Sequence, residues 1–206
     1  MSYYSSSSDL GDAMGAFAAS GISIVLVLFF MLFSVVLTVG LLIALQFPYY
    51  RMAKNAGIPN AWLAFIPIGV VWIQFMLAKK PFDMFGGKIV LERKKAATYA
   101  IFGIVGFSIV SMVLSLLSAI PLVGILFSLL SMLLSLAYTA ALMIMNFFVY
   151  QDIVDTYMPN DPNKILWVVF ALVIPIVFTV ILYMHMNDTP NYQYEEYYQK
   201  VAQRGR

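Results

Sequence analysis

Apolar residues fall in four blocks separated by short polar stretches: 21–45, 61–78, 96–151 and 164–184. The third block is the longest, fifty-six residues without one charged side chain, set between Arg93-Lys94-Lys95 and Asp152. As one helix it would run about 84 Å at 1.5 Å per residue, against a hydrocarbon core of about 30 Å, so it has to fold back on itself. Ser118-Ala119-Ile120-Pro121-Leu122 supplies the turn, because Pro121 cannot donate to the preceding helix and pushes Ile120 away from helical geometry. Residues 96–150 therefore predict a helical hairpin.

Residues 21–46 predict a first span, closed by the interfacial stretch Gln46-Phe47-Pro48-Tyr49-Tyr50-Arg51. A cleaved signal peptide would carry basic residues before a shorter apolar core, whereas the first basic residue here is Arg51. Residues 164–184 predict a last span, kinked at Pro175. Residues 61–78 are short for a span and hold Pro67 and Gly69 near their centre, so they either cross or dip and return. The expected fold is all-α, a polytopic α-helical membrane protein with four spans plus a re-entrant or short fifth hydrophobic helix. It forms a single domain over 1–206, with a polar segment at 1–20, a basic loop at 79–95 and a Tyr-rich tail at 185–206.

Serines mark the hairpin. Ser108, Ser111 and Ser115 on the first arm and Ser128, Ser131 and Ser135 on the second recur at three- and four-residue steps. An antiparallel fold about Pro121 sets Ser115 opposite Ser128, Ser111 opposite Ser131 and Ser108 opposite Ser135. Small hydroxyl residues at helical spacing suit close helix packing in membranes, each hydrogen bond contributing roughly 0.6 kcal/mol.

Composition agrees with a membrane chain, since 62% hydrophobic and 11% charged residues leave too little polar surface for a soluble domain of 206 residues. Charge bears on orientation. With 61–78 re-entrant and 164–184 spanning, nine Lys and Arg lie on the side of Arg51 and three on the other. With 61–78 spanning and the N-terminus outside, the count is five inside against seven outside, and a five-span model with the N-terminus inside gives seven against five. The re-entrant model best satisfies the cytoplasmic excess of basic residues. A net charge of +2 confined to loops argues against nucleic-acid binding, and the absence of cysteine excludes disulfides and thiolate chemistry.

The stretch Lys54-Asn55-Ala56-Gly57-Ile58-Pro59-Asn60-Ala61-Trp62, continuing to Ile66-Pro67, resembles a motif of uncharacterised small multi-pass membrane proteins of mainly Gram-positive bacteria. The resemblance implies a bacterial plasma membrane and carries no catalytic residue.

The loop at 79–95 holds Lys79, Lys80, Arg93, Lys94 and Lys95, which read as a cytoplasmic retention signal in contact with anionic lipid, at about 1 kcal/mol per basic residue near the surface. Asp152 and Asp155, three residues apart at the C-terminal and therefore negative end of a helix, need compensation, and pairing with the basic loop supplies it. A cation site from Asp152, Asp155 and Asp161 is the sharper alternative. The single histidine, His185, lies at a membrane boundary far in sequence from the serines, so a serine-protease arrangement is not expected. No cofactor or metal motif is present. The chain reads as a non-catalytic accessory or scaffold subunit, packing with itself or with other membrane protein subunits. The alternatives are a small transporter or channel-forming oligomer with a serine-lined path, and a membrane enzyme using Asp152 and Asp155.

Overall fold

The computed structural model describes residues 6–120 and 123–204, the side chains of residues 6–23, Glu196, Lys200 and Arg204 excepted. The chain divides into two units, the first ending at Ala44 and the second Leu45–Arg206. The first unit is helical throughout its described part and belongs to α1 (Ser6–Asn55), so residues 6–20 continue the helix rather than preceding it.

In the second unit, α1 ends at Asn55. Gly57, at φ +70°, then lets the chain turn, with its N–H on the Lys54 carbonyl and the Ile58 N–H on the Ala53 carbonyl. A 3₁₀ turn (Ala61–Phe65) leads into α2 (Pro67–Met76), where Pro67 occupies a first-turn position that needs no amide donor. The 3₁₀ turn and α2 approach so closely that a Cβ on Gly69 would lie 2.3 Å from the Leu63 carbonyl oxygen. The expected basic loop holds a small antiparallel hairpin, β1 (Phe82–Met84) paired with β2 (Ile89–Leu91), with Asp83 opposite Val90. Apart from these two three-residue strands the described structure is helical, in line with the expected class. The hairpin turn uses Phe85, Gly86 and Gly87, all at positive φ, and the Asp83 carboxylate accepts the Gly87 N–H.

Two long helices follow, α3 (Arg93–Ser118) and α4 (Gly124–Tyr157). Pro121 and Leu122, the expected turn, lie outside the described residues. Phe107 and Tyr138 stack across the pair with ring centroids 3.7 Å apart. On the same two helices Ile104, Ser111, Leu114, Phe127, Ser131 and Leu134 are half-buried or buried.

The expected last span is two helices, α5 (Lys164–Val173) and α6 (Pro175–His185), broken at Ile174 (φ −130°, ψ 85°). Proline 175 starts the new helix instead of kinking an old one. The two ends of the pair lie at the same end of the second unit: Lys164 sits 3.4 Å from Asp155, Asn55 at the end of α1 donates to the Met186 carbonyl at 2.9 Å, and the Asn191 N–H bonds the Thr156 carbonyl at 2.8 Å. Phe178 stacks on Tyr150 with centroids 4.1 Å apart, seven residues back from the end of α4. A straight continuation would carry Phe178 much deeper, so α5 and α6 form a hairpin. A short helix, α7 (Glu195–Arg204), closes the chain.

The core gathers at this end of the second unit. Met52 and Ala53 of α1, Ile73 and Phe75 of α2, Ala97 of α3, Ile153 and Val154 of α4, and Val168 and Leu182 of the last two helices are all buried. Farther along, α3 and α4 keep only their mutual seam and expose Phe102, Ile109, Met112, Leu116, Leu129 and Leu133. Such continuous apolar faces are stable in hydrocarbon, not in water. Among the described residues, three helices are long and apolar enough to cross a membrane: Ile24–Asn55 within α1, α3 and α4.

Two glycines test this packing. Gly69→Ala should cost about 1–3 kcal/mol through overpacking against Leu63, and Gly103→Ala, with open space around it, should not destabilise. Thermal unfolding in detergent distinguishes the two.

Candidate functional site

Where α2, the β-hairpin, α3 and α4 meet, three charged side chains leave the solvent together. Arg93 opens α3, Lys80 follows α2, and Asp152 lies five residues before the last residue of α4; they are 7%, 8% and 5% exposed. Lys80 Nζ is 2.6 Å from one Asp152 oxygen, and Arg93 Nη2 donates to the other. Arg93 Nε also donates to the Lys80 carbonyl at 2.7 Å, and its guanidinium lies over the Phe82 ring at 5.3 Å. One carboxylate thus joins the segment after α2 to the start of α3 and the end of α4.

Asp155, one turn on, is shared between Lys80 at 3.7 Å and Lys164 at 3.4 Å. Three cations and two carboxylates make a closed group, which also relieves the unfavourable position of two acids at the negative end of α4. Removing one member of a buried pair is costly because the partner is left charged and desolvated.

The tail completes the group. Thr156 Oγ1 donates to the Asp152 carbonyl at 2.6 Å, so the 2.9 Å contact with Tyr194 Oη is donated by the tyrosine. Tyr194 Oη in turn accepts the Lys79 N–H at 3.0 Å. Tyr194 is held at φ 34°, an uncommon conformation for a bulky residue, at the point where its hydroxyl makes both bonds. Lys80 Nζ lies 5.5 Å from the Tyr194 and Tyr197 rings, and Lys79 Nζ is 4.2 Å above Tyr192. Burial pushes the Tyr192 phenol up to about 12 and raises that of Tyr194, keeping both neutral over the physiological range. The group borders a polar cavity of about 450 Å³, where Lys80, Asp152, Asp155 and Lys164 line the wall together with Tyr194 and Glu195 of the tail.

Of the five basic residues expected at a lipid surface, Lys79, Lys94 and Lys95 are exposed, Lys95 lying 3.9 Å from Glu92, whereas Lys80 and Arg93 are taken up by Asp152. Asp161 does not join Asp152 and Asp155: it accepts the Asn163 N–H and the Trp167 indole N–H at the start of α5, and these bonds hold its carboxyl below the usual range. No group of three or more His, Cys, Asp or Glu among the described residues is placed to hold a metal. His185 contacts Asp188 at 2.7 Å.

The six hairpin serines divide. Ser111 and Ser131 are half-buried in the α3–α4 seam, while Ser108, Ser115, Ser128 and Ser135 face outward. The Ser108 and Ser128 hydroxyls donate to carbonyls of their own helices, those of Ile104 and Ile125. Aromatic and aliphatic side chains, rather than a ladder of serines, fill the seam. Thr156 and Tyr194 were not legible as site residues; the density of tyrosine in the tail was the only signal. Comparison with known protein families, characterised proteins and solved structures gives no match.

Asp152→Asn should destabilise the protein by about 3–5 kcal/mol, whereas Glu92→Gln, breaking an exposed pair, should cost no more than about 1 kcal/mol. Thermal unfolding of both variants in the same detergent checks this. The tail has its own pH limit. A phenol whose pKa is raised on folding stabilises the docked state below its unfolded value near 10. That contribution falls as pH rises through the folded value of about 12 for Tyr192. Protease sensitivity of the tail should increase across that window together with tyrosinate absorbance, and a tail equally sensitive at neutral pH would contradict its docking.

Proposed function

We propose that this chain is a non-catalytic integral membrane protein, an accessory or scaffold subunit that packs with itself or with other membrane proteins. Three spans, α1, α3 and α4, hold it in the bilayer. The 3₁₀ turn with α2, and α5 with α6, enter from one side and return. Each limb of the second pair is about 15–17 Å long, roughly half the hydrocarbon core.

Charge supports this placement. If 164–185 returns to the side it left, all twelve Lys and Arg share the side of Arg51. The opposite side then holds only the N-terminal segment, with Asp9 and Asp12, and the uncharged turn between α3 and α4. A single crossing would instead export Lys200, Arg204 and Arg206. The basic side is the cytoplasm by the usual bias, and the motif at 54–67 implies a bacterial plasma membrane.

The observation that carries the functional reading is the engagement of Asp152. A catalytic carboxylate has to exchange a proton or meet a substrate; Asp152 and Asp155 border the polar cavity, but both oxygens of Asp152 are taken by Lys80 and Arg93, and Asp155 is held by Lys80 and Lys164. Their work is to fasten elements together. What remains outward on α3 and α4 is apolar surface studded with small hydroxyl residues, which suits contact with other helices.

The exposed serines favour one second reading, a polar path between copies of the chain. The stacked Phe107 and Tyr138 oppose such a path within one copy. Extraction in native-lipid nanodiscs, followed by cross-linking and mass determination, should return a self-associated species or a stoichiometric membrane companion. A solitary monomer would contradict the scaffold reading. Replacing Ser108, Ser115, Ser128 and Ser135 together by alanine should leave that association intact; loss of solute flux in proteoliposomes would favour the conduit instead.

A further inference from the structure

A second cleft, of about 630 Å³, lies between the end of α2, β2 and the first turn of α3. Met76, Ala78, Pro81, Val90 and Leu91 form apolar walls, and Lys79, Lys80, Arg93 and Lys94 bring four basic residues against the single acid Glu92. Glu92 is turned toward Lys95, 3.9 Å away, and makes no side-chain cap on α3. The first intrahelical bond of α3 is from Ala96 to the Glu92 carbonyl, so the amides of Arg93, Lys94 and Lys95 precede the ladder at the positive end of a 26-residue helix.

Arg93 adds an independent observation. It lines the cleft, is 7% exposed, and one of its guanidinium nitrogens, Nη1, is buried without a hydrogen-bond partner although Nε and Nη2 are both engaged. Buried Arg93 and Lys80 share the buried Asp152, and half-buried Asp155 is shared between Lys80 and Lys164, so the paired group has one positive charge in excess. Positive potential, uncapped amides and apolar walls beside a helix of membrane-spanning length define a ligand that is anionic at one end and hydrocarbon at the other.

We propose that this cleft binds the phosphodiester headgroup of an acidic phospholipid. Lys79, Lys94 and the first-turn amides of α3 face the phosphate, with Arg93 beneath, and the acyl chains lie along the exposed apolar start of α3. The proposal rests on the placement of α3 as a span entering from the cytoplasmic side, and not on the scaffold role. It gives the basic residues that remain outside the Asp152 group a specific task, in place of diffuse attraction to the membrane surface.

Native mass spectrometry of the full-length protein, released from mixed micelles containing equal phosphatidylglycerol and phosphatidylcholine, tests it. The wild type should retain one phosphatidylglycerol in preference to phosphatidylcholine. Lys79→Gln with Lys94→Gln should reduce that preference on the order of thirtyfold, at the usual contribution of each basic residue. Lys94 is exposed and Lys79 gives up only its contact with the Tyr192 ring, so this double variant should still unfold cooperatively, with a small change in unfolding temperature at most. Lys54→Gln with Lys88→Gln removes the same charge elsewhere on this side and should leave the preference standing. Equal loss in the two double variants would overturn the site in favour of diffuse electrostatics. Displacement of the lipid by inorganic phosphate at comparable concentration would overturn the lipid assignment in favour of a free anion. Because the readout is bound lipid, absence of a protein partner in the cross-linking experiment does not affect it.

Discussion

Asp152 is the point on which the described architecture of the second unit turns. Two buried cations from different segments meet its carboxylate, and its backbone carbonyl accepts the hydroxyl that anchors the tail through Tyr194. A charge taken out of water at this depth is stable only when its partners are held in place, and here the partners are Lys80, after α2, and the first residue of α3. The clamp therefore fixes where α2 ends and α3 begins. Without it, the basic segment between them would hold two desolvated cations against α4, with the Phe85–Phe148 ring contact left to keep it there.

The consequences run outward from that contact. Holding Arg93 against the end of α4 aligns the two long helices in antiparallel register, which the Phe107–Tyr138 stack maintains farther along. Holding Lys164 through Asp155 sets the start of α5 beside the same helix end, and the 10-residue length of α5 then limits how deep the chain runs before Pro175 restarts it. The result is a polar end in which charges are paired and tyrosines cover lysines, and a distal part whose outer faces are apolar. That division is the one a bilayer imposes, since backbone away from helical geometry is tolerated near membrane depth only when protein covers it.

Much of this was legible from charge and length. Fifty-six uncharged residues exceed one crossing, so the α3–α4 hairpin followed without any contact information. The need of Asp152 and Asp155 for compensation followed from their place at a helix C-terminus. Residues 164–184 were not legible, because an apolar stretch of this length with a central proline reads equally as a kinked span or as two short limbs. What distinguishes them is where Phe178 lands, and its partner Tyr150 is distant in sequence. The serine periodicity identified helices but not their inward faces, which the larger Phe107 and Tyr138 determine. The β-hairpin was hidden because Phe85 takes positive φ beside Gly86 and Gly87, a turn that glycine content alone does not specify.

The central claim is that the chain crosses three times and that α5 and α6 return to the side they left. Single cysteines at Gly86, Asn160 and Thr189, in a protein with none of its own, report on it directly through a membrane-impermeant thiol reagent. In intact cells all three should stay unlabelled until the membrane is permeabilised, while a cysteine at Ile120, between α3 and α4, should label at once. Labelling of position 189 in intact cells with position 86 protected would mean that 164–185 crosses the membrane, and would contradict the account.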